Sequence, residues 1–344
     1  FKNQYQEIKE IGEKIFKNPE LGYKEFKTKE SVIEFLKKVN PEIEMEFFST
    51  TGIKTTLGSG KSVNMAFIGE LDAVYAPSHW CSDKESGAAH NCGHHTQIAI
   101  TLALYNYFYT TGAYKNLDYT LTFIFIPAEE YLDLSYREKL QKDGVINYYG
   151  GKPEAMRLGI FDDIDIGVCV HAIGGAFTER TSEINCDLAG FLYKKYTFRG
   201  SASHAGFDPF SGKNAYSMSN IFQVALGLMR QQLKDSEHVR MNPIVMESDM
   251  STNVIPNFIK VGTDLRTKSV EYMKTVADRI DKAAMGSAIC LDGEVEAETQ
   301  MGYLPFVQDR YIGQFVVDAF TEQSEIKTLW NNKFISAAGD MGDF

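Results

Sequence analysis

Three apolar runs constrain this chain more than any other feature: VNMAFIGE (63–70), YTLTFIFIPAEE (119–130) and IDIGVCVHA (164–172). Each is one strand long and too uniformly apolar to leave a face in water, so they read as buried strands of a largely parallel sheet. Ile98, Leu102 and Leu104 onward to Phe108 recur at helical spacing between the first two. Ahead of them, the first sixty residues read as helix, turn, helix, then strand: Ile8, Ile11, Ile15 and Phe16 form one helical stripe that stops at Pro19, and Val32, Ile33, Phe35 and Leu36 form a second that ends before Pro41. Strand alternating with helix implies an α/β domain.

After about residue 188 the pattern changes. FLYKKYTFRG (191–200) alternates as a half-exposed strand, 214–232 is helical, NPIVMES and FIKVGTDLRT are strands, 269–288 is helical, and GEVEAETQMGYLPF is a last strand. That order, βαββαβ, is the ferredoxin-like arrangement. The expected organisation is a large α/β catalytic domain whose mostly parallel sheet is flanked by helices, with a ferredoxin-like lid and dimerisation domain inserted into it. Residues 1–187 form the first part of the large domain, 188–304 the insertion, and 305–344 a second, apparently truncated part.

The 344 residues carry 35 Lys and Arg against 46 Asp and Glu, a formal charge of −11 with no basic run, which argues against nucleic acid or an anionic membrane as a partner. No apolar run reaches the ~18 residues of a membrane span, and the charged, amphipathic start is not a signal peptide, so a cytoplasmic protein is expected. Five cysteines, an odd number scattered through a long chain, do not form a disulfide scaffold.

In an open α/β sheet ligands collect where strands end at their carboxyl edge. Four clusters fall there: Glu70 and Asp72 in GELDAV; His90, Cys92, His94 and His95 in AAHNCGHHTQIA; Glu129 and Glu130 in PAEE; and Cys169 and His171 in CVHA. Cys, His and carboxylate are the ligand set of a transition-metal site of the zinc or manganese type. Singly the signals are weak. A strand-end His is often a satisfied structural group, and Cys169 inside an apolar run reads as an inert core thiol. The convergence of three strand ends and one helix start on one sheet edge is what points to a metal. Glu129 and Glu130 repel each other and could form a solvated loop. Alternatively one binds a cation while the other takes a proton from water. Both face one cleft only if the strand turns there.

The ordered series PELGYKE (19–25), GELDAV, HNCGHH, PAEE, VHA, GSASHAGFDPFSGKNA (200–215), STNVIPNFIKVGTDLR (251–266) and GDMGDF (339–344) resembles the aminoacylase and carboxypeptidase family of dinuclear metallohydrolases over nearly the whole chain. Within it the sequence looks most like the amidohydrolase branch that includes hippurate hydrolase, auxin-conjugate hydrolase and aminobenzoyl-glutamate hydrolase. The resemblance implies two divalent ions, zinc or manganese, with Cys92, His94, Glu130 and His171 as ligands and Glu129 as the proton-transferring base. His204 would reach the active site of a neighbouring subunit and stabilise the oxyanion, Asn253 and Arg266 would receive the substrate's carboxylate, and Asp72 would orient a ligand.

Where the branch usually has an Asp and a His after the Cys-Gly-His, this chain has His95 and Gln97, which points toward the aminobenzoyl-glutamate type. Glu70 stands where more distant relatives carry a metal-binding His. The family's last ligand lies beyond the GDMGD segment and so beyond residue 344, which makes the chain read as a fragment with an incomplete site. On residue chemistry alone, His204 could be a surface His near a helix start, Asn253 a turn residue, and Arg266 half of a simple ion pair. The expected function is metal-dependent hydrolysis of an amide bond in an N-acyl amino acid or similar small conjugate, by a homodimer joined through the inserted domain. Its rivals are a dipeptidase or exopeptidase on the same scaffold and a metal-poor, non-catalytic subunit.

Overall fold

A computed structural model describes residues 4–249, 251–323, 325–330 and 334–343. The chain divides into two compact units, 1–176 and 177–343.

The first unit begins with α1 (Tyr5–Phe16) and α2 (Phe26–Val39). The buried residues of α2, Thr28, Ser31, Val32, Phe35 and Leu36, follow the three-and-four spacing of a single stripe. Glu20 caps this helix by accepting the backbone N–H groups of Lys27 and Thr28. A hairpin follows, β1 (Glu46–Phe48) and β2 (Gly52–Leu57), turning through Ser49 and Thr50, both at positive φ. Then come β3 (Asn64–Glu70), a small pair β4 (Val74–Tyr75) and β5 (Ala88–Ala89), α3 (His94–Thr111), β6 (Thr120–Ile126), α4 (Leu134–Lys142), α5 (Gly151–Arg157) and β7 (Ile166–Cys169). The three apolar runs are therefore β3, β6 and β7, and β6 is buried along its whole length.

The main sheet runs β1-β2-β6-β3-β7. β3 pairs in parallel with β6 and with β7, whereas β2 pairs antiparallel with β1 and β6. The expectation of a mostly parallel sheet is corrected to a mixed one. The single strand expected after the second helix is a hairpin of two, EFF at the sheet edge and GIKTTL beside β6, both mixed in polarity and without the continuous apolar signature of the central strands. α3 is apolar around most of its circumference and is buried accordingly: Ile98, Leu102 and Tyr105 pack with Ile11, Ile15, Phe35, Leu36, Phe123 and Phe125. This packing fixes the start of α3 beside the carboxyl ends of β3, β6 and β7.

The second unit contains β8 (Thr181–Ile184), β9 (Gly190–Arg199), α6 (Ala215–Met229), β10 (Arg240–Met241), β11 (Ile244–Ser248), β12 (Phe258–Thr267), α7 (Val270–Ile289), β13 (Glu294–Met301), α8 (Arg310–Thr321) and β14 (Lys327–Trp330). Its larger sheet is antiparallel with order β10-β12-β9-β13, and β11 also pairs with β12. Alternate strand residues Tyr196, Phe198, Ile259, Val261 and Leu265 pack with Met218 and Phe222 of α6 and Val276 and Ile280 of α7, so both helices share the core of this sheet. β14 and β8 form a separate parallel pair. All five cysteines are free thiols, and among the described residues no helix is long and apolar enough to cross a membrane.

Candidate metal centre

Gly93, at φ 99°, lets the chain turn sharply into α3, placing Cys92 before the helix and His94 at its first position. A β-carbon at Gly93 would lie 2.8 Å from that of Ala172, so the bareness of this residue also lets the segment after β7 approach. As a result the Cys92 thiol and the His171 Nε2 are 3.3 Å apart. His94 is buried, and the ligand atoms of Cys92, His94 and His171 lie within 4.8 Å of one another. So do those of Glu70, His94 and Glu129. The two groups share His94.

The ring of His94 is oriented from behind. Its Nδ1 lies 2.8 Å from the Asp72 backbone carbonyl and donates to it, so when the ring gives up its second proton it is Nε2 whose lone pair faces forward. Nε2 stands 3.1 Å from a Glu70 oxygen and 3.8 Å from a Glu129 oxygen, yet it is buried without a hydrogen-bond partner. A buried imidazole nitrogen surrounded by carboxylates, thiol and a second imidazole is an arrangement that a divalent cation satisfies by displacing the ring proton. The donor set therefore fits the ions that the sequence resemblance implies. Burial by itself would lower the His94 pKa, but Glu70 and Asp72 beside it hold it well above the ordinary 6.5. Burial, aided by the Glu130 carboxylate, pushes the Cys92 thiol up to about 11.

The turn demanded by two adjacent site carboxylates is present. β6 ends at Ile126 and Ala128 adopts the left-handed conformation at φ 55°. Asp72, fully buried, accepts the backbone N–H of Glu129 at 3.1 Å and that of Glu130 at 2.9 Å on its two oxygens. Glu129 then presents its carboxylate to His94, while the Cys92 thiol hydrogen-bonds to the Glu130 carboxyl. Desolvation and the nearby Asp72 raise the pKa of Glu130.

Glu70 is held by two residues that the strand-end search did not single out as partners. Lys152, fully buried on α5, donates to one oxygen at 2.6 Å, and Gln97 donates to the other at 2.9 Å while accepting the Glu70 backbone N–H. Burial would raise the Glu70 pKa, but the Lys152 ammonium, with His94 and His171, draws it down to about 2. Gln97, the departure from the branch pattern, thus belongs to the support of Glu70. Arg137, also fully buried, donates to the backbone carbonyls of Glu130 and Tyr149. A lone Lys or Arg inside a helix carries no sequence signal for such roles.

His95 points away from this centre and packs its ring against Phe16 and His90, at centroid distances of 4.9 and 5.5 Å. His90 is buried and its pKa falls to about 3, first by desolvation and then through His95 and His94. The Cys169 thiol donates to Gln97.

The remaining candidates belong to the second unit. His204 and Asn253 come together, since residue 204 bridges to Val254 and the Ala205 N–H donates to the Asn253 carbonyl. Both are exposed, and the His204 Nδ1 accepts the N–H groups of Gly206 and Phe207. Arg266, near the end of β12, pairs with Asp264 at 2.7 Å and donates to the Ser336 carbonyl.

The first unit thus gathers thiol, imidazole and carboxylate groups that could hold a metal ion at the carboxyl edge of a mixed α/β sheet. The relatives agree. The chain is 27% identical over 308 residues to thermostable carboxypeptidase 2 of Saccharolobus solfataricus, covering 81% of this chain and 71% of that protein. It is 22% identical to one of the subunits of p-aminobenzoyl-glutamate hydrolase of Escherichia coli, over 97% of this chain and 65% of that one. It is 23% identical to N-acetyldiaminopimelate deacetylase of Brevibacillus brevis, over 95% and 83%. Among solved structures, an aminobenzoyl-glutamate utilization protein of Klebsiella pneumoniae superposes with a TM-score of 0.75 at 17% identity, covering 99% of this chain and 87% of that one. A dinuclear metal binding peptidase from the M20 family of Bacillus subtilis superposes at 0.69 and 16%, over 99% and 86%. These two establish likeness of fold. No protein-family model matches the chain. The resemblance to the aminoacylase and carboxypeptidase family is borne out: the relatives are peptidases and amidohydrolases of that kind.

Proposed function

We propose that this chain is a metal-dependent hydrolase that cleaves the amide bond of an N-acyl amino acid or a similar small conjugate, of the aminobenzoyl-glutamate type. The observation that carries this is the buried, unpartnered Nε2 of His94, facing Glu70 and Glu129 with Cys92 and His171 alongside. Cys92, His94, Glu130 and His171 would hold two divalent ions, zinc or manganese. Bound there, the ions supply positive charge that polarises the scissile carbonyl and acidifies water. Glu129 takes the proton of the attacking water and passes it to the leaving amine nitrogen. Asp72 keeps His94 and the two glutamates in register.

The family resemblance assigns further roles to residues of the second unit. That unit's strand order β13-β9-β12-β11 with α6 and α7 supports a ferredoxin-like arrangement, which this reading takes as an insertion at 188–304 between two parts of the larger domain, 1–187 and 305–344. His204, from a neighbouring subunit of a cytoplasmic homodimer, would stabilise the tetrahedral intermediate, and Asn253 and Arg266 would hold the substrate carboxylate.

The test is elemental analysis of the natural polypeptide, together with Glu129→Gln turnover of acyl-amino acids. Metal content should persist while kcat falls by orders of magnitude. A metal-free protein, or unchanged turnover, overturns the proposal. The relation to carboxypeptidases favours one second reading, an exopeptidase on the same scaffold. A panel of dipeptides against acyl-amino acids separates the two.

A further inference from the structure

Within the PELGYKE segment, Glu25 sits just before α2, about a hundred residues ahead of the Glu129–Glu130 pair in the chain, and its side chain is fully buried. One oxygen accepts the Ala128 backbone N–H at 2.8 Å and the other bonds the Thr51 hydroxyl at 2.7 Å. Ala128 is the left-handed residue that aims the glutamate pair, a conformation that an Ala adopts only when its surroundings impose it. The three consecutive N–H groups of Ala128, Glu129 and Glu130 are thus all taken by buried carboxyl groups, the first by Glu25 and the next two by Asp72. The Ala128 carbonyl is taken by the Gly151 N–H.

We propose that Glu25 is a positioning residue: by pinning the Ala128 N–H it fixes the left-handed turn that delivers Glu129 and Glu130 to the metal centre. This rests on Glu129 being the proton carrier. Glu25 touches none of the ligand atoms, so its influence passes through the backbone of Ala128. Burial, and then the Asp72 carboxylate, push its pKa up to about 8, so at neutral pH it is chiefly an uncharged hydrogen-bonding group. A glutamine has the same length, one accepting oxygen for Ala128 and an NH2 for the Thr51 hydroxyl, so it reproduces the pin. An aspartate keeps the carboxyl but is one methylene too short to reach both partners.

The two variants therefore give opposite answers for geometry and for charge. In the natural polypeptide, Glu25→Asp should lower kcat about a hundredfold with KM within about threefold, as misplacement of a reacting group does, whereas Glu25→Gln should stay within about threefold of wild type. Hydrogen exchange followed by mass spectrometry should show faster exchange at amides 128–130 in Glu25→Asp and unchanged protection in Glu25→Gln. Wild-type turnover and protection in Glu25→Asp overturn the proposal, as does a Glu25→Gln variant as slow as Glu25→Asp. If Glu129→Gln turns over normally, the reading of Glu129 fails, yet the exchange measurement still decides whether Glu25 holds the turn.

Discussion

Asp72 grips His94 twice: its backbone carbonyl lies 2.8 Å from the Nδ1 of the imidazole, and one carboxylate oxygen lies 3.3 Å from the same nitrogen. The same carboxylate holds the backbones of Glu129 and Glu130. One side chain thereby ties the helix start after β5 to the end of β6, and with Glu25 on the Ala128 N–H it holds imidazole and base relative to each other.

Asp72→Asn should show how much this matters. An amide has only one accepting oxygen, so its NH2 must face either the Glu129 or the Glu130 N–H and leave it unpaired. Supporting residues of this kind are worth roughly 10- to 100-fold in metal affinity or activity. Both should fall by that factor in Asp72→Asn with the fold retained, measured by metal titration and turnover. Wild-type metal affinity would contradict the assigned role.

Breaking the buried Glu70–Lys152 pair should cost far more stability than replacing both of its partners. Removing the lysine leaves a buried carboxylate uncompensated, which typically costs about 3–5 kcal/mol. Lys152→Met should unfold at correspondingly lower denaturant concentration, and Glu70→Leu combined with Lys152→Met should recover much of the loss. The acid dependence has a definite sign. The folded-state pKa of Glu70 lies near 2, below its ordinary 4.5, so its contribution is complete above about pH 4.5 and is lost as pH falls toward 2. That acid-labile part should be missing in the double variant.

The sequence announces this site unevenly, and the reason is physical. β3, β6 and β7 are legible because a strand buried on both faces must be apolar throughout, and the residues that end each run fall where an α/β sheet gathers ligands. The need for a turn beside Glu129 and Glu130 is likewise readable from side-chain alternation, and Ala128 meets it. The β1–β2 hairpin is legible only as one strand, because both of its strands are short and mixed in polarity and the turn between them carries no Gly-containing signal. Lys152 and Arg137 are not legible either: their roles depend on tertiary partners distant in sequence, Glu70 for one and the carbonyls of Glu130 and Tyr149 for the other. Gln97 stands out in the sequence only as a departure, and its meaning emerges once both of its bonds to Glu70 are seen.

Metal uptake should release protons. His94, held well above 6.5 by its carboxylate neighbours, carries a proton on the apo protein at pH 7, and the Cys92 thiol, raised to about 11, is also protonated. Both must be deprotonated to act as ligands. Affinity should therefore rise with pH through the neutral range, with about two protons released per binding event. Calorimetric titration with zinc in buffers of different ionisation enthalpy measures this number. Binding without proton release would remove one or both residues from the ligand set.

Gly93→Ala should damage the centre without touching any ligand. Gly93 sits at φ 99°, where a side chain is strained, and an added methyl would stand 2.8 Å from the Ala172 β-carbon. Two costs combine, the left-handed backbone, about 1–2 kcal/mol, and the clash with the segment that carries His171. Relief requires that segment to withdraw, and the 3.3 Å approach of Cys92 to His171 opens with it. The variant should lose about 1–3 kcal/mol of stability and bind metal more weakly than that loss alone explains. The discriminating comparison is Gly112→Ala at the other end of α3. That glycine is also left-handed at φ 68° but has open space around it, so the substitution should cost stability and leave metal affinity unchanged. Equal metal affinity in the two variants would mean that the close approach at Gly93 does not shape the centre.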